Sequence, residues 1–419
     1  MGFETDEASS STLKIPGEDV PFLGQNQQLS SPSKTSANIF MSLVGAGVLG
    51  LPYTFKKTGW LMGPLLIISI ATLSYYCMML LVYSRRKLES QFEGAKISSF
   101  GDLGFAVCGP IGRLVVDVMI VLSQACFSVG YMIFIGNTLV YLFNSSVTEA
   151  NPRILGFSPK SVYIWSCFPF QLGLNSVPTL TLLAPLSIFA EIVDLGALGV
   201  VMVEDVLIYL KNRPSLEMFG GFNVFFYGLG VAVFAFEGMG LVLPLESETR
   251  DKNKFGKILG LSVAFVAILY GAFGALGYFA SGEETKDIIT VIFNRDRLAA
   301  WSLHKPLLGF PLMMNPVYEV MERRFCEGRY CLWLIWLMVL TVCFVSLTVP
   351  NFADFMSLVG SSVSVVLGFV LPAFFHLIVF KDELGWYSLA IDAAFIVMGT
   401  TFAVYGTSSS LAKIISEMA

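Results

Sequence analysis

Two glycine-rich runs, each closed by a proline, interrupt stretches that are otherwise apolar. The first is Gly45-Ala46-Gly47-Val48-Leu49-Gly50-Leu51-Pro52, the second Gly238-Met239-Gly240-Leu241-Val242-Leu243-Pro244. Glycine lacks the steric restraint that keeps a helix regular, and proline supplies no amide donor, so an unbroken helix is not expected through either run. Chain that unwinds inside hydrocarbon must turn its freed N–H and C=O groups toward a cavity or a ligand. The helix N-termini so created offer partial positive charge to a carboxylate, and freed carbonyls suit an ammonium group or a cation. A small zwitterion satisfies both ends at once. The competing use of such glycines is close helix packing; recurrence of the device at two places favours breaks.

Ionisable residues within apolar runs are costly and often mark ion pathways. Glu237 directly precedes the second run. There it either exchanges a proton as a site opens to each side, holds an ammonium group, or caps freed amides. Glu191 and Asp194 are i,i+3 neighbours on one helical face, which must look into a bundle or a vestibule; a proton relay and a hydrogen-bonded structural role both fit. Asp117 stands four residues after Arg113 and reads as its i,i+4 partner. Gln124 and Tyr131, two turns apart on one face, either touch a ligand or bond to a neighbouring helix. Asn351, Asp354 and Ser357 form either part of an outer gate or a polar helix cap.

The elements that must position these residues follow from composition. Of 419 residues, 55% are hydrophobic and 14% charged, with a mean hydropathy of +0.71, which excludes an ordinary water-soluble globule. The apolar content suffices for about eleven helices of roughly 20 residues, the length needed to cross the hydrocarbon core. Apolar spans fall at 36–55, 60–83, 114–143, 161–178, 180–210, 222–245, 257–280, 306–320, 331–350, 353–380 and 385–407. The fold class is therefore an all-α polytopic membrane protein. The two glycine runs lie five spans apart, in matching positions of two five-span halves. Paired interrupted helices of this kind are expected of an inverted-repeat secondary transporter with its substrate site between them. That places Gly45, Ala46, Gly47, Val48, Phe236, Gly238 and Met239 at the site, with Gln124 and Tyr131 beside it. Phe236 and Met239 would favour neutral side chains.

Residues 1–35 are rich in Ser, Pro and acids, without the apolar core of a signal peptide, and read as a disordered cytosolic tail. Within it, Glu18 followed by Phe22-Leu23 fits either a sorting signal or a plain linker. The transporter domain is 36–410, and 411–419 form a short C-terminal tail. The densest basic clusters, at 85–87, 250–257 and 323–329, all fall on one side if the N-terminus is cytosolic, as the positive-inside rule requires. The seven Cys lack CxxC spacing, and two His are too few for HExxH chemistry, so neither a metal site nor a cofactor is implied. A membrane-embedded enzyme would need clustered catalytic side chains, and a channel an open polar filter. Neither pattern is present, nor is a basic nucleic-acid surface. The partners expected are the lipid bilayer, protons and a small neutral amino acid.

Gly45 to Pro52 followed by Tyr53 through Trp60, Phe236-Glu237-Gly238-Met239-Gly240 through Glu246, Phe310 through Asn315-Pro316, and Val349-Pro350-Asn351-Phe352 together resemble the amino acid/auxin permease family. Within it, the chain is most similar to the plant vacuolar (AVT-type) amino acid transporters, over nearly all of residues 36–410. The resemblance implies a LeuT-like 5+5 inverted repeat with an additional eleventh span, proton-coupled transport of neutral amino acids, and export from vacuole to cytosol. It implies the vacuolar membrane, with the plasma membrane as second candidate. Some animal members carry a His in span 1 where this chain has Asn38, so a histidine-based proton mechanism does not carry over.

One region departs from the family. Where relatives run a continuous apolar eighth helix, this chain has Asn294-Arg295-Asp296-Arg297 and then Leu298 through His304-Lys305-Pro306. A charge at mid-bilayer costs about 2.5–3.5 kcal/mol on insertion scales. The expected span is then 306–320, about 15 residues or roughly 22 Å, short or distorted. The alternative to a working carrier is a transport-incompetent or regulatory isoform of the same family.

Overall fold

The computed structural model describes residues 30–91, 97–144, 158–177, 180–285, 303–349, 351–383 and 385–418. Glu18, Phe22, Leu23 and 294–297 lie outside the described residues. The described chain is helical throughout: α1 (Pro32–Leu43), α2 (Leu51–Thr58), α3 (Met62–Gln91), α4 (Phe100–Asn144), α5 (Pro159–Asn175), α6 (Leu180–Asn212) and α7 (Phe225–Ala235) form the first part. There follow α8 (Met239–Glu248), α9 (Lys252–Ser281), α10 (His304–Phe325), α11 (Leu332–Thr348), α12 (Phe352–Val359), α13 (Leu371–Val379) and α14 (Trp386–Met418). Among the described residues six helices, counting α7–α8 and α12–α13 as one each, are long and apolar enough to cross a membrane; the bent pair α1–α2 makes a seventh, and α11 is a shorter apolar helix.

Local chemistry sets several boundaries. Ser31 caps α1 through its hydroxyl, which accepts from the Lys34 amide at 3.4 Å, and Pro32 takes the first turn, where no amide donor is needed. The first helix therefore starts four residues before the 36 expected from hydropathy, because capping rather than apolarity fixes its start. Ser30 just before it is extended and bridges Thr249: its amide donates to the Glu248 carbonyl at 2.8 Å, and the Arg250 amide donates back at 3.2 Å. In α4, Gly109 adopts φ 63° before Pro110, a left-handed backbone that kinks the element ahead of its long apolar part.

Two sequence expectations need correction here. The segment 411–419 is no tail over its described residues, since α14 continues to Met418 and Lys413 pairs with Asp354. The eighth helix is longer than 306–320. It spans 22 residues, His304–Phe325, and carries Pro311 and Pro316 without breaking. It takes in Lys305 because that charge is paired inside the bundle, and it runs past 320 into a polar turn where Arg323 meets Glu319 at 3.5 Å.

The core is one apolar cluster to which every helix from α1 to α14 contributes. Charges gather at its two ends. At one, the buried Glu246 carboxylate accepts from Arg85 at 3.0 Å and Arg86 at 2.8 Å. At the other, the buried Asp354 faces Lys57 at 3.6 Å and also binds Lys413. The basic cluster 85–87 and Lys57 thus sit at opposite ends of the bundle, as alternating spans require.

Candidate substrate site at two helix breaks

The first glycine run breaks its helix. After Leu43 the chain extends through Val44 (φ −77°, ψ 100°) and Gly45 (φ −119°, ψ −172°), makes a 3-10 turn over Ala46–Gly50 and re-enters an α-helix at Leu51. Pro52 falls in the first turn of α2, where its missing donor costs nothing. The two helical pieces are bent by 52°. The carbonyls released at the break are not left bare: Leu43 accepts from the buried Tyr270 hydroxyl at 2.8 Å, and Val44 accepts from the Lys305 ammonium at 2.6 Å.

The second break is milder and lies about one turn earlier than the glycine run suggests. Helix α7 stops at Ala235, Phe236 to Gly238 are non-helical, and α8 starts at Met239. Residues 239–244 are therefore helical, contrary to the expectation for Gly238 to Pro244. Pro244 is carried inside α8, where its lack of a donor leaves one carbonyl of the preceding turn unbonded rather than ending the helix.

The fold brings the two breaks together. A Cβ added to Gly47 would lie 2.8 Å from the Ala235 backbone, and one added to Gly238 would lie 2.7 Å from the Leu43 side chain. Each break thus packs against the helix end flanking the other, and glycine is what permits the approach. At Gly45, by contrast, an added Cβ meets nothing within 4 Å. Backbone with free space in front of it therefore stands at Gly45, while Val48, Phe236 and Met239, which flank the two breaks in sequence, are buried. The ring of Phe236 stands edge-on to Tyr270 at 5.2 Å. A narrow cleft lined by Ile39, Ser42, Leu43, Gly238, Val242 and Leu259 lies between α1, α8 and α9, beside the second break.

Glu237 sits in the second break, partly accessible, beside Ser364. Ser364 belongs to a stretch the sequence did not flag: residues 360–364 and 366–370 are π-helical. A π-bulge widens the helix and often accompanies functional sites. Here Gly360 approaches Gly230 of α7 so closely that a Cβ would meet its carbonyl oxygen at 1.8 Å, a wall that accommodates no larger residue.

The remaining expected residues divide. Tyr131 is buried, near Gly309 and close enough to Lys305, Glu191 and Asp194 to sense their charges. Gln124 is half-buried two turns earlier in α4. Glu191 and Asp194 do share a face, turned inward onto Lys305 at 2.9 and 3.5 Å. Asn351 is a helix cap, accepting from the Ala353 and Asp354 amides at 2.9 and 3.3 Å. Asp354 joins the charge cluster at that end, where Lys57 also lies over the Tyr53 and Tyr227 rings at 4.6 and 4.4 Å. Ser357 contacts the Ser410 hydroxyl at 3.1 Å. Arg113 and Asp117 approach at 4.0 Å. Sequence reasoning missed Tyr270 and Ser364, and took Lys305 as damage. The readable signal for Lys305 was charge balance: one cation and two carboxylates, all in apolar stretches, with every reason to pair.

The sequence pattern of one family, the transmembrane amino acid transporter protein family, matches residues 28–412. The chain belongs to that family. It is 58% identical to Amino acid transporter AVT3C of Arabidopsis thaliana, over 99% of each chain. It is 26% identical to Vacuolar amino acid transporter 3 of Saccharomyces cerevisiae (strain ATCC 204508 / S288c), over 84% of this chain and 52% of that protein. In fold it is similar to MhsT, whose crystal structure holds L-phenylalanine, with a TM-score of 0.53 at 13% identity, covering 92% of this chain and 100% of that one. This member of the amino acid transporter family is accordingly a multi-pass membrane protein, and its relatives are named as transporters rather than enzymes.

Proposed function

We propose that this transporter carries small neutral amino acids from the vacuole to the cytosol, coupled to protons, by alternating access around the two apposed helix breaks. The observation that carries the reading is the contact between those breaks, Gly47 on Ala235 and Gly238 on Leu43, with open space at Gly45. An amino acid's carboxylate fits the amides at the start of the 46–50 turn, and its ammonium fits Glu237 and the carbonyl end of α7. The apolar surfaces of Val48, Phe236 and Met239 suit a neutral side chain and leave a charged one unpaired. The architecture proposed is a five-plus-five inverted repeat with α14 as the eleventh helix.

Gating follows from the ends of the bundle. Lys57, Asp354 and Lys413 tie α2, α12 and α14 together on the side assigned to the vacuole lumen. On the cytosolic side, Arg85 and Arg86 hold α8 through Glu246, and the Ser30–Thr249 bridge ties the start of α1 to the end of α8. Alternating access requires these ties to open in turn. Glu237 is the proposed proton carrier, since it is the carboxylate inside the break itself. Vacuolar relatives support the membrane assignment.

The test is flux of radiolabelled neutral amino acids in proteoliposomes with an imposed pH gradient. Gradient-driven accumulation is expected for the parent chain and its loss for Glu237→Gln, with insertion retained. Unchanged gradient dependence in that variant would remove Glu237 from the coupling; no flux of any amino acid by the parent would remove the carrier reading.

A further inference from the structure

Lys305 has a place in the structure that the carrier reading does not use. Its ammonium reaches the Val44 carbonyl at 2.6 Å, the Glu191 carboxylate at 2.9 Å and the Asp194 carboxylate at 3.5 Å. All three acceptors are oxygens, and the side chain is 8% exposed. Val44 is the residue whose carbonyl the first break sets free. The three charges sum to one negative with Lys305 present and to two without it. Two uncompensated carboxylates facing a bare carbonyl in a bundle interior need either a cation or protons.

We infer that Lys305 is a tethered cation: a positioning residue whose ammonium fills, from within the chain, a site at the first break that would otherwise take a small monovalent metal ion. It clamps α10 and α6 onto the extended backbone at Val44 and fixes the break next to Gly45. The inference deepens the carrier reading, because the break it holds is the proposed substrate site. Two consequences are built into the geometry. The parent chain has no use for sodium at this place, and removing the ammonium converts the cluster into an oxygen-lined cation site of two carboxylates and a carbonyl, with the Tyr131 hydroxyl nearby.

The experiment is thermal unfolding of the purified full-length chain in detergent, in sodium chloride, lithium chloride or choline chloride at equal ionic strength. The parent and Lys305→Arg should give the same midpoint in all three salts. Lys305→Gln should be destabilised in choline and regain about 3 °C or more in sodium or lithium, the signature of an ion that binds only the folded state. Should that variant fail to fold in any salt, Lys305→Gln combined with Glu191→Gln restores the parent's net charge in the cluster, and it too should be stabilised by sodium. Midpoints of both variants that do not respond to sodium or lithium would overturn the inference, as would a parent that responds as strongly as they do. The readout needs no transport, so its failure leaves the carrier reading standing, and absent flux leaves the cation result standing.

Discussion

Gly45 and Gly47, two residues apart, separate what the fold needs from what the site needs. At Gly47 an added methyl would lie 2.8 Å from the Ala235 Cα, against the 3.4 Å at which ordinary contact begins. Backbone cannot swing aside, so Gly47→Ala must push the first break and the end of α7 apart by roughly 0.6 Å, an overpacking that costs about 1–3 kcal/mol. At Gly45 the methyl meets nothing within 4 Å, and the backbone at φ −119°, ψ −172° is open to any residue. Gly45→Ala should leave stability unchanged or raise it by about 0.4–1 kcal/mol through the stiffer unfolded chain. If that space receives substrate, however, the methyl intrudes on it. A loss of at least tenfold in transport efficiency, about 1.4 kcal/mol, is then expected without loss of stability. Thermal unfolding and labelled amino acid flux in proteoliposomes, measured side by side, give the comparison. Parental flux in Gly45→Ala, or equal destabilisation by the two substitutions, would refute the reasoning.

Three further outcomes are expected. Asn351→Ala should cost about 0.5–2 kcal/mol of stability, the usual cost of a lost cap, while the apparent affinity for substrate, read from competition of labelled uptake, stays the same. Glu246→Leu should destabilise by about 1–3 kcal/mol, because Arg85 and Arg86 lose the buried carboxylate they share while Arg85 keeps Glu89 at 3.0 Å, whereas Arg86→Met should cost under about 1 kcal/mol, since Arg86 is about one-third exposed; chemical denaturation of each variant measures the difference. Asp354→Asn should lower stability by about 1–3 kcal/mol and speed reagent labelling of a cysteine placed at Ser357, because two ammonium groups lose the carboxylate that ties α2 and α14 to α12.

The helices and the first break were legible in the sequence because local rules determine them. Glycines without side-chain restraint, a proline at a helix start and long apolar runs act within a turn or two of chain. The second break was displaced because Pro244 is tolerated inside α8, so the last helical residue before the break, Ala235, carries no local mark. The π-helical stretch at 360–370 was invisible for a similar reason: its Ser, Val and Leu are compatible with an ordinary helix, and the widening arises where Gly360 meets Gly230. Contacts between distant segments were the least accessible. Lys305 lies 114 positions from Glu191, and no periodicity links them. What the sequence did contain was the shared cost of burying unpaired charge, which applies equally to Asp354 and Lys57. Asn351, read as gate or cap, makes the capping bonds, its side chain accepting from two amides of its own helix.

The central claim, that two apposed helix breaks hold an amino acid, is tested most directly by a structure of the full chain with a neutral amino acid bound. The account predicts the ligand beside Gly45, its carboxylate within hydrogen-bond distance of the amides that open the 46–50 turn and its side chain against Phe236 and Met239. A ligand bound elsewhere in the bundle, with the space at Gly45 filled by a protein side chain, would contradict it.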